Sequence, residues 1–228
     1  VTGSELVGLI PLQAMLDAGR HFLHKQQRSS GVSDAELVKI AIKSLGLDEL
    51  APFDPQKKII EYAVADSRER RLASMSVRAF VEETASESVA PGGGSVAALL
   101  GSLGAALGTM VANLSAHKRG WDARWEEFSE WAERGKACHA ELLALVDADT
   151  RAFDDLMAAF GLPKASEAEK SAREAAIQRA TRGAIDVPLR VMEVALSSMQ
   201  VLRAMAESGN PSSASDAGVG ALCALSAV

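Results

Sequence analysis

Aromatic side chains make up only 4% of this 228-residue chain, and one of them is its single tyrosine. Ala, Leu, Gly and Val fill the apolar positions instead, which favours helices packed closely on one another over a β-sandwich. Basic charge is also short: 24 Lys and Arg against 30 Asp and Glu leave a net charge of −6, which is no footprint for a nucleic-acid partner. Cysteine is nearly absent. Cys138 and Cys223 stand in helical contexts without metal-ligand spacing, so reduced thiols and a cytoplasmic location are expected. His21, His24, His117 and His139 are scattered singly, so no metal site is expected. The chain opens on Val1 without a basic, apolar leader and stops inside an apolar run, so it reads as a piece of a longer protein. There is no internal repeat and no low-complexity tract.

What is present is mostly helix. At 228 residues the chain can bury a substantial core in one large domain or two small ones. Residues 1–65 read as one unit: a short apolar run at 6–10, then a helix over 12–26 opened by Pro11. A second helix is capped by Ser33, with Glu36 completing the box and Gly46 ending it. A third, capped by Asp54, runs through Pro55, Ile59, Ile60 and Val64. Residues 66–76 form the linker, opening on the charged DSRERR at 66–71. Residues 77–228 read as an all-helical domain: a helix at 77–86, a break at VAPGGG, and a small-residue helix from Ser95. A helix from 120 to 155 follows, then a long one over 166–207 bent at Pro188, and a last one capped by Ser215 or Asp216. The fold class expected is therefore mainly α. Residues 95–116 carry no charge and are long enough to cross a bilayer. They are nevertheless rich in Ala, Gly and Ser, and Gly101, Gly104 and Gly108 make a smooth face. This suits the central helix of a bundle or a homo-oligomer interface rather than a membrane span.

One carboxylate stands where a helix should bury hydrocarbon. Three, four and seven residues on either side of Asp149 lie only apolar neighbours: Leu142, Leu145 and Val146 behind it, Ala152, Phe153 and Leu156 ahead. Asp147 is about 200° further round the helix and is expected to point to solvent beside Arg151 and Asp154. A carboxylate drawn into hydrocarbon takes a proton more readily and suits general acid–base work; the bland alternative is a buried cap or ion pair. Gly92, Gly93 and Gly94 directly before a helix let a ligand approach the backbone. The helix start offers free N–H groups to an anion, with Ser95 adding a hydroxyl. No GK[ST] follows, so this is not a nucleotide loop, and a tight interhelical turn explains the glycines equally well. Lys118 either satisfies the C-terminal dipole of the small-residue helix or holds a substrate carboxylate. Asp216 is a helix cap, and a site residue only if the bundle folds it toward Asp149. With Asn113, these are the candidate ligand contacts.

Ordered motifs carry a family resemblance. FVEETASESVAPGGGSVAALLGSLGAALGTMVANLS at 80–115, LVDADTRAF at 145–153, GLPK at 161–164, VPL at 187–189 and GNPSSASDAGVGA at 209–221 resemble the cyclodeaminase domain of formimidoyltransferase-cyclodeaminase. TGSELVGLIPLQAML at 2–16 and LGLDELAPFDPQKKIIEYAV at 45–64 resemble the end of its formimidoyltransferase domain, an α-rich tail of an α/β fold. The resemblance covers nearly the whole chain. It implies folate chemistry in histidine degradation, with conversion of 5-formimidoyltetrahydrofolate to 5,10-methenyltetrahydrofolate and ammonia by a bifunctional enzyme. A tetrahydrofolate derivative, polyglutamylated or not, is then the substrate. The resemblance also implies that Asp149 stands at the position of the family's catalytic carboxylate. Thr150-Arg151 stand where relatives often carry Ala-Glu, a difference expected on the outward face. No transferase activity is expected from residues 1–65 alone, whose His21 and His24 read as a solvated helix end. The alternatives are a methenyltetrahydrofolate cyclohydrolase and a non-catalytic helical module that binds folate or assembles.

Overall fold

The computed structural model describes residues 4–64 and 72–228, so the expected linker segment 66–71 lies outside the described residues. The first unit is built on α1 (Leu12–Lys25) and α2 (Asp34–Leu45). The Ser33 side chain accepts from the Glu36 backbone N–H, and Gly46 closes α2 with φ 66°. The Glu36 carboxylate turns to Lys39 rather than completing the box. Met15, Leu16, Leu37, Val38 and Ala41 form the shared core. The helices approach so closely at Gly19 that a Cβ there would lie 2.3 Å from the Leu37 carbonyl oxygen.

The expected third helix is broken in two, α3 (Pro55–Lys58) and α4 (Ile60–Val64), by an extended Ile59 with φ −94° and ψ 125°. The cause is a long-range pairing that local propensity cannot show. The Ile10 N–H donates to the Lys58 carbonyl and the Ile60 N–H to the Ile10 carbonyl, making one parallel bridge that buries Ile59 completely.

The bundle comprises α5 (Val77–Thr84), α6 (Gly93–Ala116), α7 (Trp125–Phe160), α8 (Glu167–Ser208) and α9 (Ala214–Ser226). α6 runs through its centre against α7, α8 and α9. By length and composition alone it is apolar enough to cross a membrane; here Ala98, Ala105, Val111 and Ala112 are each 0% exposed. The glycine face does what small residues permit. A Cβ at Gly104 would lie 2.7 Å from the Gly220 carbonyl oxygen of α9, and one at Gly108 3.2 Å from Leu202 of α8. α8 opens with a complete capping box between Ser166 and Glu169 and continues unbroken through Pro188. Between Phe160 and Arg190 no residue is buried, so the end of α7 and the first half of α8 form an arm standing off the core. The start of α9 corrects the sequence reading. Asn210 caps a short turn at Pro211–Ser213 by accepting from Ser212, and α9 begins at Ala214 with Asp216 inside its first turn.

The two units are joined by a buried polar seam at residues 29–31. The Ser29 hydroxyl donates to Asn113 Oδ1 at 2.6 Å, and Asn113 Nδ2 donates to the Gly31 carbonyl at 2.9 Å. The Ser29 N–H donates to His117 Nε2 at 3.2 Å and the Ser30 N–H to Ser129 Oγ at 3.1 Å. Lys136 of α7 pairs with Asp34 at 2.6 Å. His24 stands exposed in the last turn of α1, as expected for a solvated helix end, and its Nε2 also lies 2.9 Å from Ser30 Oγ and 3.4 Å from Glu133.

Candidate active site

The apolar stripe of α7 leaves the core as it passes Asp149. Leu142 and Val146 are 0% exposed, Asp149 is half-buried, and Phe153 one turn on is 41% exposed. Opposite stands the start of α6, where Gly92 is the N-cap residue and supplies no side-chain cap. The Asp149 carboxylate lies over Gly94, where an added Cβ would fall 2.2 Å from Oδ1 and 2.9 Å from Oδ2. The group seated at this helix start is therefore the protein's own side chain.

Ser95 completes the contact from beneath. It is 0% exposed, and its Oγ lies 2.9 Å from Asp149 Oδ2, 3.1 Å from the Val146 carbonyl oxygen and 3.4 Å from Thr150 Oγ1. Its hydroxyl thus faces the carboxylate and not a ligand, a correction to the sequence reading. Gly92 and Gly93 do face open space. With Val89 and Ala90 they wall one side of a cavity of about 290 Å³, while Asp149, Thr150 and Phe153 line the other side and Ala184 of α8 closes it. Among the described residues, Asp149 is the one charged residue in that lining.

Three further sequence expectations change. Asp147 does not point to solvent: its Oδ1 accepts the Leu72 backbone N–H at 2.7 Å, tying the chain before α5 to α7. Thr150 is not on the outward face but on the cavity wall, whereas Arg151 is exposed. Asn113, Lys118 and Asp216 do not meet Asp149 within the chain. α6 spans 24 residues, roughly 36 Å at 1.5 Å per residue, and Asn113 and Lys118 belong to its other end. Asn113 is spent on the seam, and the Lys118 ammonium sits 4.1 Å from the centre of the Trp121 ring. Asp216 adjoins Ala217, which packs with Val111 and Ala112 toward that same end. The wall residues Val89, Ala90 and Ala184 carry no chemical signal that a sequence reading could have used. Among the described residues, no three His, Cys, Asp or Glu side chains come together as a metal site. A larger groove of about 500 Å³ between α7 and α8, lined by Arg151, Asp155 and Arg179, holds none of the candidate residues.

A helical bundle that holds a carboxylate in a glycine-walled cleft offers a small organic molecule a place beside a proton-accepting group. The sequence profile described as Formiminotransferase-cyclodeaminase matches residues 76–228, and the one described as Formiminotransferase domain matches residues 1–65. The chain belongs to the formiminotransferase-cyclodeaminase family. It is 41% identical over 222 residues to formimidoyltransferase-cyclodeaminase of Rattus norvegicus, a match covering 97% of this chain and 41% of that protein. It therefore spans about two fifths of the length of that relative. It is 38% identical over 149 residues to methenyltetrahydrofolate cyclohydrolase of Methylorubrum extorquens, covering 65% of this chain and 72% of that one. The crystal structure of formiminotetrahydrofolate cyclodeaminase from Thermotoga maritima superposes with a TM-score of 0.59 at 29% identity, covering 69% of this chain and 74% of that chain.

Proposed function

We propose that the helical domain catalyses cyclodeamination of 5-formimidoyltetrahydrofolate, giving 5,10-methenyltetrahydrofolate and ammonia. The substrate's 10-nitrogen attacks the amidine carbon, forming the new C–N bond; the C–N bond to the terminal amine then breaks and ammonia leaves. Asp149 takes the proton from the attacking nitrogen and returns it to the departing amine. A positioned base of this kind supplies roughly 10²–10⁴-fold. Both reacting nitrogens belong to one bound molecule, so the pocket needs only to hold the near-attack geometry. The scheme uses proton transfer alone and calls on no metal. The observation that carries the reading is the Asp149 carboxylate, alone in charge among the described residues on the wall of a cavity whose other side is formed by Gly92 and Gly93 with Val89 and Ala90. A pure assembly module has no use for that arrangement.

The identity with the cyclohydrolase favours a second reading, in which the same carboxylate activates a water that adds to the methenyl bridge. Against it stands the transferase-like unit seated on α6 and α7, since a bifunctional protein would generate the formimidoyl substrate. No transfer reaction is expected of that unit alone, because its His21 and His24 stand exposed toward the end of α1. The folate is bound with one glutamate or several. The protein works as a cytoplasmic homo-oligomer, supported by free Cys138 and Cys223 and by apolar Leu103, Leu114, Leu222 and Leu225 left exposed on α6 and α9. The test is to give the complete protein 5-formimidoyltetrahydrofolate and follow methenyl absorbance together with ammonia. Stoichiometric appearance of both supports the proposal; hydrolysis of added methenyltetrahydrofolate without ammonia release from the formimidoyl substrate supports the second reading.

A further inference from the structure

We propose that Ser95 is a positioning residue whose hydroxyl proton follows the charge on Asp149, donating to the carboxylate when it is ionised and to the Val146 carbonyl when it is protonated. The inference rests on the reading of Asp149 as the proton-transferring group. A serine hydroxyl has one proton to give and two lone pairs to receive with. Here three oxygens lie in range of it, Asp149 Oδ2 at 2.9 Å, the Val146 oxygen at 3.1 Å and, longest, Thr150 Oγ1 at 3.4 Å, so only one is served by its proton at a time. Ser95 is 0% exposed, so solvent does not reach it to share the task. Among the described residues it supplies the hydrogen bond recorded to the Asp149 carboxylate.

A hydrogen bond to an ionised acceptor is about twice as strong as one between neutral groups. While Asp149 is charged, the Ser95 proton therefore points at Oδ2. Once Asp149 takes the substrate's proton that advantage is gone. The Ser95 O–H then turns to Val146, which frees a lone pair on Oγ to accept from the carboxyl. Both states leave every buried partner satisfied, so the base changes charge without orphaning a polar group. Among the described residues, no other titratable group lines the cavity wall. The α6 start offers glycines, the segment before it Val89 and Ala90, and α8 offers Ala184. On α7 itself Asp147 is engaged with the Leu72 N–H, and Arg151 lines the other groove.

Removing the hydroxyl selectively weakens the ionised state. The complete protein is assayed for cyclodeamination across pH as wild type, Ser95→Ala and Ser95→Cys, the last filling the space with a weak donor. We expect the acid limb of kcat/KM to move to higher pH by about one unit in both variants, the equivalent of one charge-assisted hydrogen bond. A limb unmoved in Ser95→Cys, or in Ser95→Ala where that variant folds, would make the contact purely structural and overturn the proposal. Full turnover by Asp149→Asn would instead overturn the reading beneath it, and the proposal would fall with it.

Discussion

Gly94 and Asp149 specify one another. The carboxylate occupies the volume that any side chain at Gly94 would take. Gly94→Ala should therefore push the carboxylate out of register and lower kcat by about 100-fold, the usual cost of a misplacement near 1 Å. Because the displaced group is a movable side chain, the melting temperature should change little; a large melting shift with kcat retained would speak against this. Gly93 faces open cavity, so Gly93→Val should raise KM with little effect on melting, and equal loss of both would mark a merely structural turn. Asp147→Asn keeps an oxygen for the Leu72 N–H and should be nearly silent, while Asp147→Ala should cost about 1 kcal/mol in denaturant unfolding. The position of Asp149 on a cavity wall could be suspected from sequence because its helical neighbours are apolar. Thr150 and Ser95 were misjudged because a helical wheel says nothing of which other helix stands on each side: Thr150 meets the α6 start, and Ser95 points down into α7.

Helices give the next level of control, and here the seam between the units brings in histidine. Burial, with the Lys136 ammonium adding to it and Asp34 opposing, holds the His139 imidazole below its ordinary 6.5. Burial and then Arg28 act on His117 in the same direction. The unfolded chain thus gains these protons at a higher pH than the folded one. The associated stability is fully present above about pH 6.5 and is lost as pH falls through the lower folded-state values. Melting temperature should accordingly fall from about pH 7.5 to about pH 5.5, and His139→Gln should flatten part of that fall. An unchanged slope in the variant would remove His139 from the account. Protonated His117 also has no lone pair for the Ser29 N–H, so the seam should loosen first. The sequence showed most helices with their caps, since capping is local. It missed the break at Ile59, where pairing with Ile10 across the unit overrides the local helix preference.

At the level of the whole molecule, the transferase-like unit is fastened to the bundle by backbone contact as much as by side chains. A Cβ at Gly31 would lie 2.3 Å from that of Ala132 and 2.6 Å from its carbonyl carbon, so Gly31→Val should part the units and lower stability by about 1–3 kcal/mol, the usual cost of overpacking. Nothing in the sequence marks Ser29 to Gly31 as a docking segment, because its partners stand more than eighty residues away. The same distance problem explains Asn113, Lys118 and Asp216. Each looks like a ligand contact on its own helix, and only the packing of α6 and α9 shows them at the end remote from Asp149. The central claim is that Asp149 moves the proton in the cyclisation. It is tested most directly by turnover of 5-formimidoyltetrahydrofolate in the complete protein, comparing wild type with a folded Asp149→Asn variant by methenyl absorbance. The account predicts a loss of at least about 100-fold in kcat with the fold intact, since the amide fills the same space over Gly94 without accepting the proton; turnover within about threefold of wild type, well short of the contribution expected of a positioned base, would contradict it.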